Sequence, residues 1–207
     1  YAPFEAAFGI DMRPTIETLI AKSDFEFSVT KLINTDADVA ALKTVTNYGL
    51  IIFDTHGSGG KYLATGELAD TNLAVYKDSY KALIKANKLT IYKNITVSKV
   101  GTVKKKDDIY AVSYKFFEDL SSFFQNSVIF NGSCESNKTT DFADEFFING
   151  ASAYYGFDKV VNTRFCARMA DSVVKRLTVD LKNTAEAFIA GQIDPKSPNA
   201  LYQYEEW

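Results

Sequence analysis

Two short and uninterrupted apolar runs, each followed by a glycine-containing polar sequence, constrain the fold of this chain more than any other feature. Residues 50–53 read Leu-Ile-Ile-Phe and residues 128–130 read Val-Ile-Phe. Runs of this length without polar alternation are typical of parallel strands that are buried on both faces. A third strand is predicted at residues 151–157. Because helical spacing recurs between and after these strands, the sequence predicts an α/β three-layer sandwich, with a mostly parallel sheet flanked by helices.

Other elements and the domain organisation follow from the same reading. A strand is predicted at residues 25–33, and helices are predicted at residues 15–21, 36–47, 140–148 and 161–181. A chain of 207 residues is long enough for one well-buried domain and short for two, so we expect a single domain over residues 1–207. No clear strand precedes the first helix, so we expect the first strand of the sheet to lie upstream of Tyr1 or to be broken there. The last residues are expected to form a polar tail.

Composition excludes several classes of partner and site. The formal net charge is −3, and lysine and arginine are scattered, so no electrostatic platform for nucleic acid or an anionic membrane is expected. No apolar stretch reaches the roughly 18 residues that a spanning helix needs, so no membrane span is expected. The chain has one histidine and two cysteines, fewer than the four such ligands that a structural zinc site normally uses. No metal and no cofactor are predicted.

One histidine and one cysteine stand at matching positions after two of the buried strands. His56 follows the first apolar run and Cys134 follows the second. The carboxyl ends of parallel strands meet at one edge of a sheet, where reactive groups of open α/β folds gather. A thiolate is a strong nucleophile, and an imidazole that titrates near neutrality assists it. Taken singly, each residue is more often structural; together they predict a nucleophilic dyad, with the N–H groups of Gly57 and Cys134 as an oxyanion hole.

The order of the two residues along the chain separates families of hydrolases. Enzymes with the α/β-hydrolase nucleophile elbow and papain-like enzymes place the histidine after the nucleophile, and here no histidine follows Cys134. Histidine first and cysteine second, each closing a buried strand, is the order of the caspase-like fold. Residues 50–57 (LIIFDTHG) and 127–136 (SVIFNGSCES) resemble the two signature strands of the caspase, clostripain, gingipain and CHAT group. The similarity also covers residues 150–158 and the helix after them.

This resemblance implies a cysteine endopeptidase that acts on a peptide or protein substrate without a cofactor. Cys134 would be the nucleophile, His56 the acid and base, and the amides of Gly57 and Cys134 the oxyanion hole. The alternative is an inactive or partner-regulated module of the same fold, of the CHAT type. The two dyad residues are 78 positions apart, against roughly 50 in caspases. We therefore expect an insertion near residues 61–108.

The residues that select a substrate are less well determined by the pattern. Clostripain-like enzymes resemble one another in an aspartate two residues before the cysteine, where this chain has Gly132. In the fold that the chain resembles, the loop after residues 151–157 helps to form the specificity pocket, which implies Asp158 as a partner for a substrate Arg or Lys and Phe157 as an apolar wall. The other interpretation of Asp158 is a solvated helix cap.

Two further acidic residues flank the dyad. Asp54 lies two residues before His56, so it is a candidate for orienting the imidazole, although a loop cap is the alternative. Glu135 directly follows Cys134 and is predicted to start a helix, where its negative charge favours the helix dipole.

Overall fold

The computed structural model describes residues 1–4 and 10–206, and its centre is a five-stranded mixed sheet. The strands are β1 Leu50–Phe53, β2 Gly57–Ser58, β3 Tyr62–Leu68, β4 Leu89–Val100, β5 Val103–Ser113, β6 Val128–Asn131, β7 Ala153–Phe157, β8 Ile193–Asp194 and β9 Ser197–Glu206. The α-helices are α1 Arg13–Ile20, α2 Val39–Leu42, α3 Lys81–Lys85, α4 Asp141–Ile148, α5 Thr163–Thr178 and α6 Thr184–Ala187. A π-helical turn, Tyr76–Tyr80, precedes α3, and 3₁₀ turns lie at Asn34–Asp36, Val45–Asn47 and Tyr114–Asp119.

The three strands that the apolar runs predict lie side by side and parallel in this sheet. Ile51 of β1 is in register with Ile129 of β6, and Ile129 is in register with Tyr154 of β7. β9 then adds antiparallel to β7, and β8 pairs antiparallel with β9. The α/β class and the mixed, mostly parallel sheet with helices are therefore confirmed. The parallel order has a direct consequence, because it brings the loops after β1 and β6 to the same edge of the sheet.

Alternate residues of the parallel strands supply two hydrophobic clusters, which explains why the runs are apolar at every position. Ile51, Phe53, Ile129 and Tyr154 pack with the phenylalanines of α4, where the Phe53 and Phe146 rings stack with centroids 6.2 Å apart. The alternate positions of the same strands join a second cluster with α1 and α5; its members include Phe130, Ala153, Tyr155, Phe157, Ile16, Met169, Val173 and Val174.

The first residues of the chain extend the sheet beyond β1. The nitrogen of Tyr1 donates to the Ile52 carbonyl at 3.0 Å, and the Asp54 N–H donates to the Tyr1 carbonyl at 2.9 Å. Ala2 then forms a parallel bridge with Ile33. Residues 1 and 2 thus lie between β1 and the segment around Ile33.

The region predicted as an insertion, residues 61–108, supplies β3, β4 and the first part of β5 to a second, antiparallel sheet of strand order β2-β3-β5-β4. It also contains the π-helical turn and α3. The inner residues of this sheet are apolar and join the same cluster as α2 and α4; they include Leu63, Leu89, Tyr110 and Val112. The short strand β2 begins at Gly57, directly after His56, and pairs with β3. Strand β2 therefore connects the histidine loop, residues 54–60, to the second sheet.

Three elements differ from the sequence predictions. Residues 25–33 form no strand, and of these only Ile33 makes a bridge, because no neighbouring strand offers a continuous partner. The helix predicted at residues 36–47 is instead a single α-helical turn, α2. The Asp38 carboxylate caps this turn by accepting a hydrogen bond from the Ala41 N–H. The expected polar tail is instead strand β9, which pairs with β7 over five residues. Within the described part of the chain, no helix combines the length and the apolar character needed to cross a membrane.

Candidate active site

His56 and Cys134 line the same cavity, which has a volume of about 120 Å³ and lies beyond the carboxyl ends of β1 and β6. Each residue stands three positions after the end of its strand, and the two strands are adjacent and parallel. The remaining lining residues come from four parts of the chain: Phe4, Ile10, Met12, Asp54, Thr55, Gly132, Val161, Thr163 and Cys166. The site is thus built where loops diverge from the sheet, the place where α/β folds form ligand-binding crevices.

The environment of His56 favours the neutral imidazole. The side chain is half-buried and its ring lies 4.7 Å, centroid to centroid, from the ring of Phe4 at an angle of 50°. Burial lowers the pKa of His56 below the ordinary value of 6.5, because a cation loses hydration there. The imidazole is therefore unprotonated at neutral pH, the state in which it acts as a general base.

The environment of Cys134 favours the protonated thiol. Its Sγ lies 3.7 Å from the Val161 carbonyl, to which the S–H donates. Burial raises the pKa of the Cys134 thiol above 9.0, and the negative charges of Glu135 and Asp194 raise it further. Both dyad members are thus neutral in the free protein. An unprotonated imidazole can accept a thiol proton, which generates the reactive thiolate.

Gly57 allows the histidine loop to touch the cysteine loop, residues 132–140, which connects β6 to α4. A Cβ on Gly57 would lie 2.4 Å from Ser133 Oγ and 2.7 Å from the Cys134 carbonyl oxygen, both far inside contact distance. A side chain here would therefore push the two loops apart. The glycine is therefore required for the close approach of these two backbones.

The N–H group of Cys134 is available to a ligand. The neighbouring N–H groups are occupied: Gly132 donates to the Phe53 carbonyl at 2.7 Å, Ser133 to Asn131 Oδ1 at 3.2 Å and Glu135 to the Lys159 carbonyl at 2.9 Å. Among the described residues, the Cys134 N–H has no hydrogen-bond acceptor. A donor fixed in this way beside a nucleophile suits an oxyanion.

A buried polar network, which the sequence patterns did not identify, holds the cysteine loop in place. Asn131 Nδ2 donates to the Tyr154 hydroxyl, which in turn donates to the Ser136 carbonyl, both at 2.8 Å. Ser136 Oγ donates to the Asn131 carbonyl at 2.9 Å, and Ser133 Oγ donates to Asn131 Oδ1 at 2.8 Å. These four residues are at most 2% exposed. A fully bonded buried network of this kind fixes one loop conformation.

The structural element that contains Glu135 differs from the predicted one. It occupies a turn, and the following helix α4 begins only at Asp141, so the prediction that Glu135 starts a helix is wrong. Its φ angle is +57°, in the left-handed region, and its carboxylate accepts the Gly59 N–H at 2.7 Å and pairs with Lys138 at 2.6 Å. These hydrogen bonds lower the pKa of the Glu135 carboxyl, with the Lys138 bond contributing most. The carboxylate thus connects the cysteine loop to the histidine loop.

The two residues predicted for the specificity pocket lie outside the lining of the dyad cavity. Phe157 is fully buried, and its ring packs 5.5 Å from Tyr202 and 6.0 Å from Phe165. Asp158 Oδ1 accepts the Leu201 N–H at 2.6 Å, so this carboxylate fastens the end of β7 to β9. Asp54, by contrast, lines the cavity together with His56.

The second cysteine borders the same cavity but is held differently. Cys166, on α5, is 2% exposed, and its Sγ donates to the Gly132 carbonyl at 3.2 Å. Burial raises the pKa of the Cys166 thiol well above 9.0. A Cβ on Gly132 would lie 2.7 Å from both Cys166 Sγ and the Phe53 carbonyl oxygen, so no aspartate fits at this position. Both cysteines are free thiols.

Within residues 1–4 and 10–206, no group of three or more His, Cys, Asp or Glu side chains is arranged to hold a metal ion. Comparisons of the chain with protein-family models, with curated proteins and with solved structures find no match.

Proposed function

We propose that this protein is a cysteine endopeptidase with a caspase-like three-layer α/β fold, and that Cys134 and His56 form its catalytic dyad. One observation carries the proposal. Cys134 and His56, the only histidine of the chain, follow two adjacent parallel strands and line one cavity of about 120 Å³. Two further features support it. Gly57 lets the two loops approach closely, and the Cys134 N–H has no hydrogen-bond acceptor among the described residues. The resemblance of the two strand-end sequences to the caspase, clostripain, gingipain and CHAT group supports the same chemistry.

The proposed reaction begins with both dyad groups neutral. His56 accepts the Cys134 proton as Sγ attacks the carbonyl carbon of a peptide bond, and the oxyanion that forms is stabilised by the N–H groups of Cys134 and Gly57. The intermediate then collapses, the C–N bond breaks, and the imidazolium gives its proton to the leaving amine. Water, deprotonated by His56, attacks the resulting thioester. The carboxylic acid product leaves, and Cys134 regains its proton.

A second candidate function, a partner-regulated module of the same fold, is favoured by one specific observation. The cavity, at about 120 Å³, is small for a bound peptide side chain with its backbone. In this second candidate, a partner protein opens the cavity before the dyad acts. The discriminating result is cleavage that depends on an added partner.

The proposal is tested by digesting a peptide library under reducing conditions with three proteins: wild type, Cys134→Ala and Cys166→Ala. We expect wild type and Cys166→Ala to cleave at the same sites and Cys134→Ala to lose cleavage by about 10³-fold or more. Cys166 is the matched control because it borders the same cavity without the exposed backbone donor. Equal profiles for wild type and Cys134→Ala would overturn the peptidase proposal.

The residue preference in the same library tests the prediction that Asp158 pairs with a basic side chain of the substrate. Cleavage after Arg or Lys that is lost in Asp158→Asn would support Asp158 as the partner of a basic substrate side chain. Cleavage after Asp or Asn would contradict it. Because Asp158 Oδ1 also accepts the Leu201 N–H, the Asn variant is preferred to Ala, since its amide oxygen keeps an acceptor there.

A further inference from the structure

We propose that Glu135 is a positioning residue of the dyad, which holds the loop that carries His56 against the loop that carries Cys134. The inference rests on the proposed function, because it assigns a role within the same site. Glu135 is next to the nucleophile in sequence, whereas its hydrogen-bond partner Gly59 is three residues after the histidine. The bond therefore links two segments that are 76 residues apart.

The first argument is the geometry of the loop contact. Residues 57–60 touch the cysteine loop at three successive places. Gly57 packs on Ser133, the Gly59 N–H donates to Glu135 Oε2 at 2.7 Å, and a Cβ on Gly60 would lie 2.8 Å from Thr139 Oγ1. The first contact is van der Waals packing of a glycine, which resists compression but not separation. At the third, the Thr139 hydroxyl also donates to the Gly60 carbonyl, but at 3.4 Å this hydrogen bond is long. The Glu135 bond, at 2.7 Å and with a carboxylate acceptor, is the stronger of these two bonds that resist separation.

The second argument is the conformation of Glu135 itself. Its φ of +57° is one that residues with a side chain rarely adopt, and glycine would adopt it without strain. A strained non-glycine residue persists where the surrounding contacts over-determine its conformation. Here the Glu135 N–H is fixed to the Lys159 carbonyl at 2.9 Å, and the carboxylate is fixed to Gly59 and Lys138.

The third argument compares the two partners of the carboxylate. The Lys138 side chain is 52% exposed and belongs to the same turn as Glu135, so this ion pair is a surface pair of the kind that contributes little. The Gly59 bond has an ionised acceptor and a backbone donor, which makes it a charge-assisted hydrogen bond between two loops. The positioning role is therefore assigned to the Gly59 bond, and Lys138 supplies a control.

The experiment compares four substitutions in a Cys166→Ala background, which leaves one thiol. Glu135→Ala and Glu135→Met remove the acceptor, and Met keeps the length of the side chain in case the smaller variant does not fold. Glu135→Gln keeps an amide oxygen for the Gly59 N–H. Lys138→Met removes the ion pair and leaves the Gly59 bond intact.

We expect Glu135→Ala and Glu135→Met to lower kcat for peptide cleavage by roughly 10- to 100-fold, the scale of a small misplacement of catalytic groups, with little change in KM. Glu135→Gln and Lys138→Met are expected to stay within about threefold of the parent. In heteronuclear NMR spectra, the Gly59 amide proton and the single imidazole should shift in the Ala and Met variants and stay close to the parent in the other two.

Equal losses in Glu135→Gln and Glu135→Ala, or an unmoved Gly59 amide in Glu135→Ala, would overturn the positioning role. The spectra also separate this inference from the proposed function. If the parent protein cleaves no peptide, the peptidase proposal fails, and the positioning role is decided by the NMR signals alone. Chemical-shift changes confined to Glu135→Ala and Glu135→Met then support the contact between the two loops, and unchanged NMR signals in these variants refute it.

Discussion

Two cavities in the described part of the chain differ in size and in chemistry, and the larger of the two is away from His56 and Cys134. The dyad cavity is about 120 Å³, whereas a cavity along the outer edge of β1 is about 410 Å³. The edge cavity is bounded by α1, by residues 27–32, by residues 48–52 and by the end of α5. It holds neither cysteine nor histidine. Size alone is therefore a poor guide to chemistry in this fold.

The difference follows from where each cavity lies relative to the strands. The dyad cavity is at the strand ends, where loops supply functional side chains and free backbone groups. The edge cavity runs alongside β1, so its wall consists mainly of side chains such as Ile16, Leu50 and Ile52 that belong to or border the second hydrophobic cluster. Changes in the two cavities should therefore separate catalysis from stability.

The largest contrast is expected between two glycine substitutions. In Gly57→Ala, the new Cβ meets Ser133 Oγ and the Cys134 carbonyl well inside contact distance, so we expect a loss of unfolding free energy of about 1–3 kcal/mol. The displaced loops should also lower kcat/KM for peptide cleavage by about 100-fold or more. Urea denaturation and initial rates measure the two effects.

The matched control is Gly49→Ala in the wall of the edge cavity. No atom lies within 4 Å of a Cβ built there, and its φ is not in the left-handed region. We expect the unfolding free energy to change by less than about 1 kcal/mol, with unchanged cleavage. Similar behaviour of the two variants would show that the close approach at Gly57 does not matter.

A smaller effect is expected from Ile16→Val in the edge cavity. Ile16 is 8% exposed and packs in the second hydrophobic cluster, so loss of one methylene should cost about 0.5–1.5 kcal/mol in unfolding free energy. The alkylation rate of Cys134 and the cleavage rate should not change. A change in either rate, without a change in stability, would mean that the two cavities are coupled.

The sequence predicted the parallel strands well because burial on both faces leaves a local signal. Residues 50–53 were predicted and observed as a strand with the same bounds. By contrast, Phe25, Phe27 and Val29 alternate like a strand but are 61%, 38% and 47% exposed, because pairing depends on a neighbour that no local pattern reveals. Strand β9 was missed for the same reason. The residues of β7 that pair with β9 are 45 to 53 positions earlier in the chain. Pro198 does not prevent the strand, because proline is tolerated near the start of a strand.

At the site, the sequence predicted which residues meet but not how they are held. The strand-end positions of His56 and Cys134 follow from the topology of a parallel sheet, and the structure places both on one cavity. The supports depend instead on loop conformation. The left-handed φ of Glu135 and the bonds of Asn131 arise from tertiary contacts, for which the only sequence signal is a polar residue at the end of an otherwise apolar strand.

The smallest predicted effect is the contribution of His56, in the dyad cavity, to the pH dependence of stability. Burial lowers the pKa of His56 below 6.5, so as pH falls through 6.5 the unfolded chain binds a proton on this residue before the folded protein does. The contribution of His56 to the unfolding free energy is therefore present above pH 6.5 and declines as the pH falls. Burial raises the pKa values of Glu67, Glu145 and Asp171, which act in the opposite direction.

The contribution of His56 is isolated by comparing wild type with His56→Gln, because the chain has no other histidine and the carboxyl contributions are common to both proteins. We expect the stability of wild type relative to His56→Gln to decrease steadily in urea denaturation from pH 8 to pH 5. The difference in unfolding free energy between wild type and Ile16→Val should vary much less over this range, since the substitution removes no titratable group. A wild-type advantage that grows on acidification would mean that the imidazolium is stabilised in the folded protein, and the neutral resting state assigned to the dyad would then be wrong.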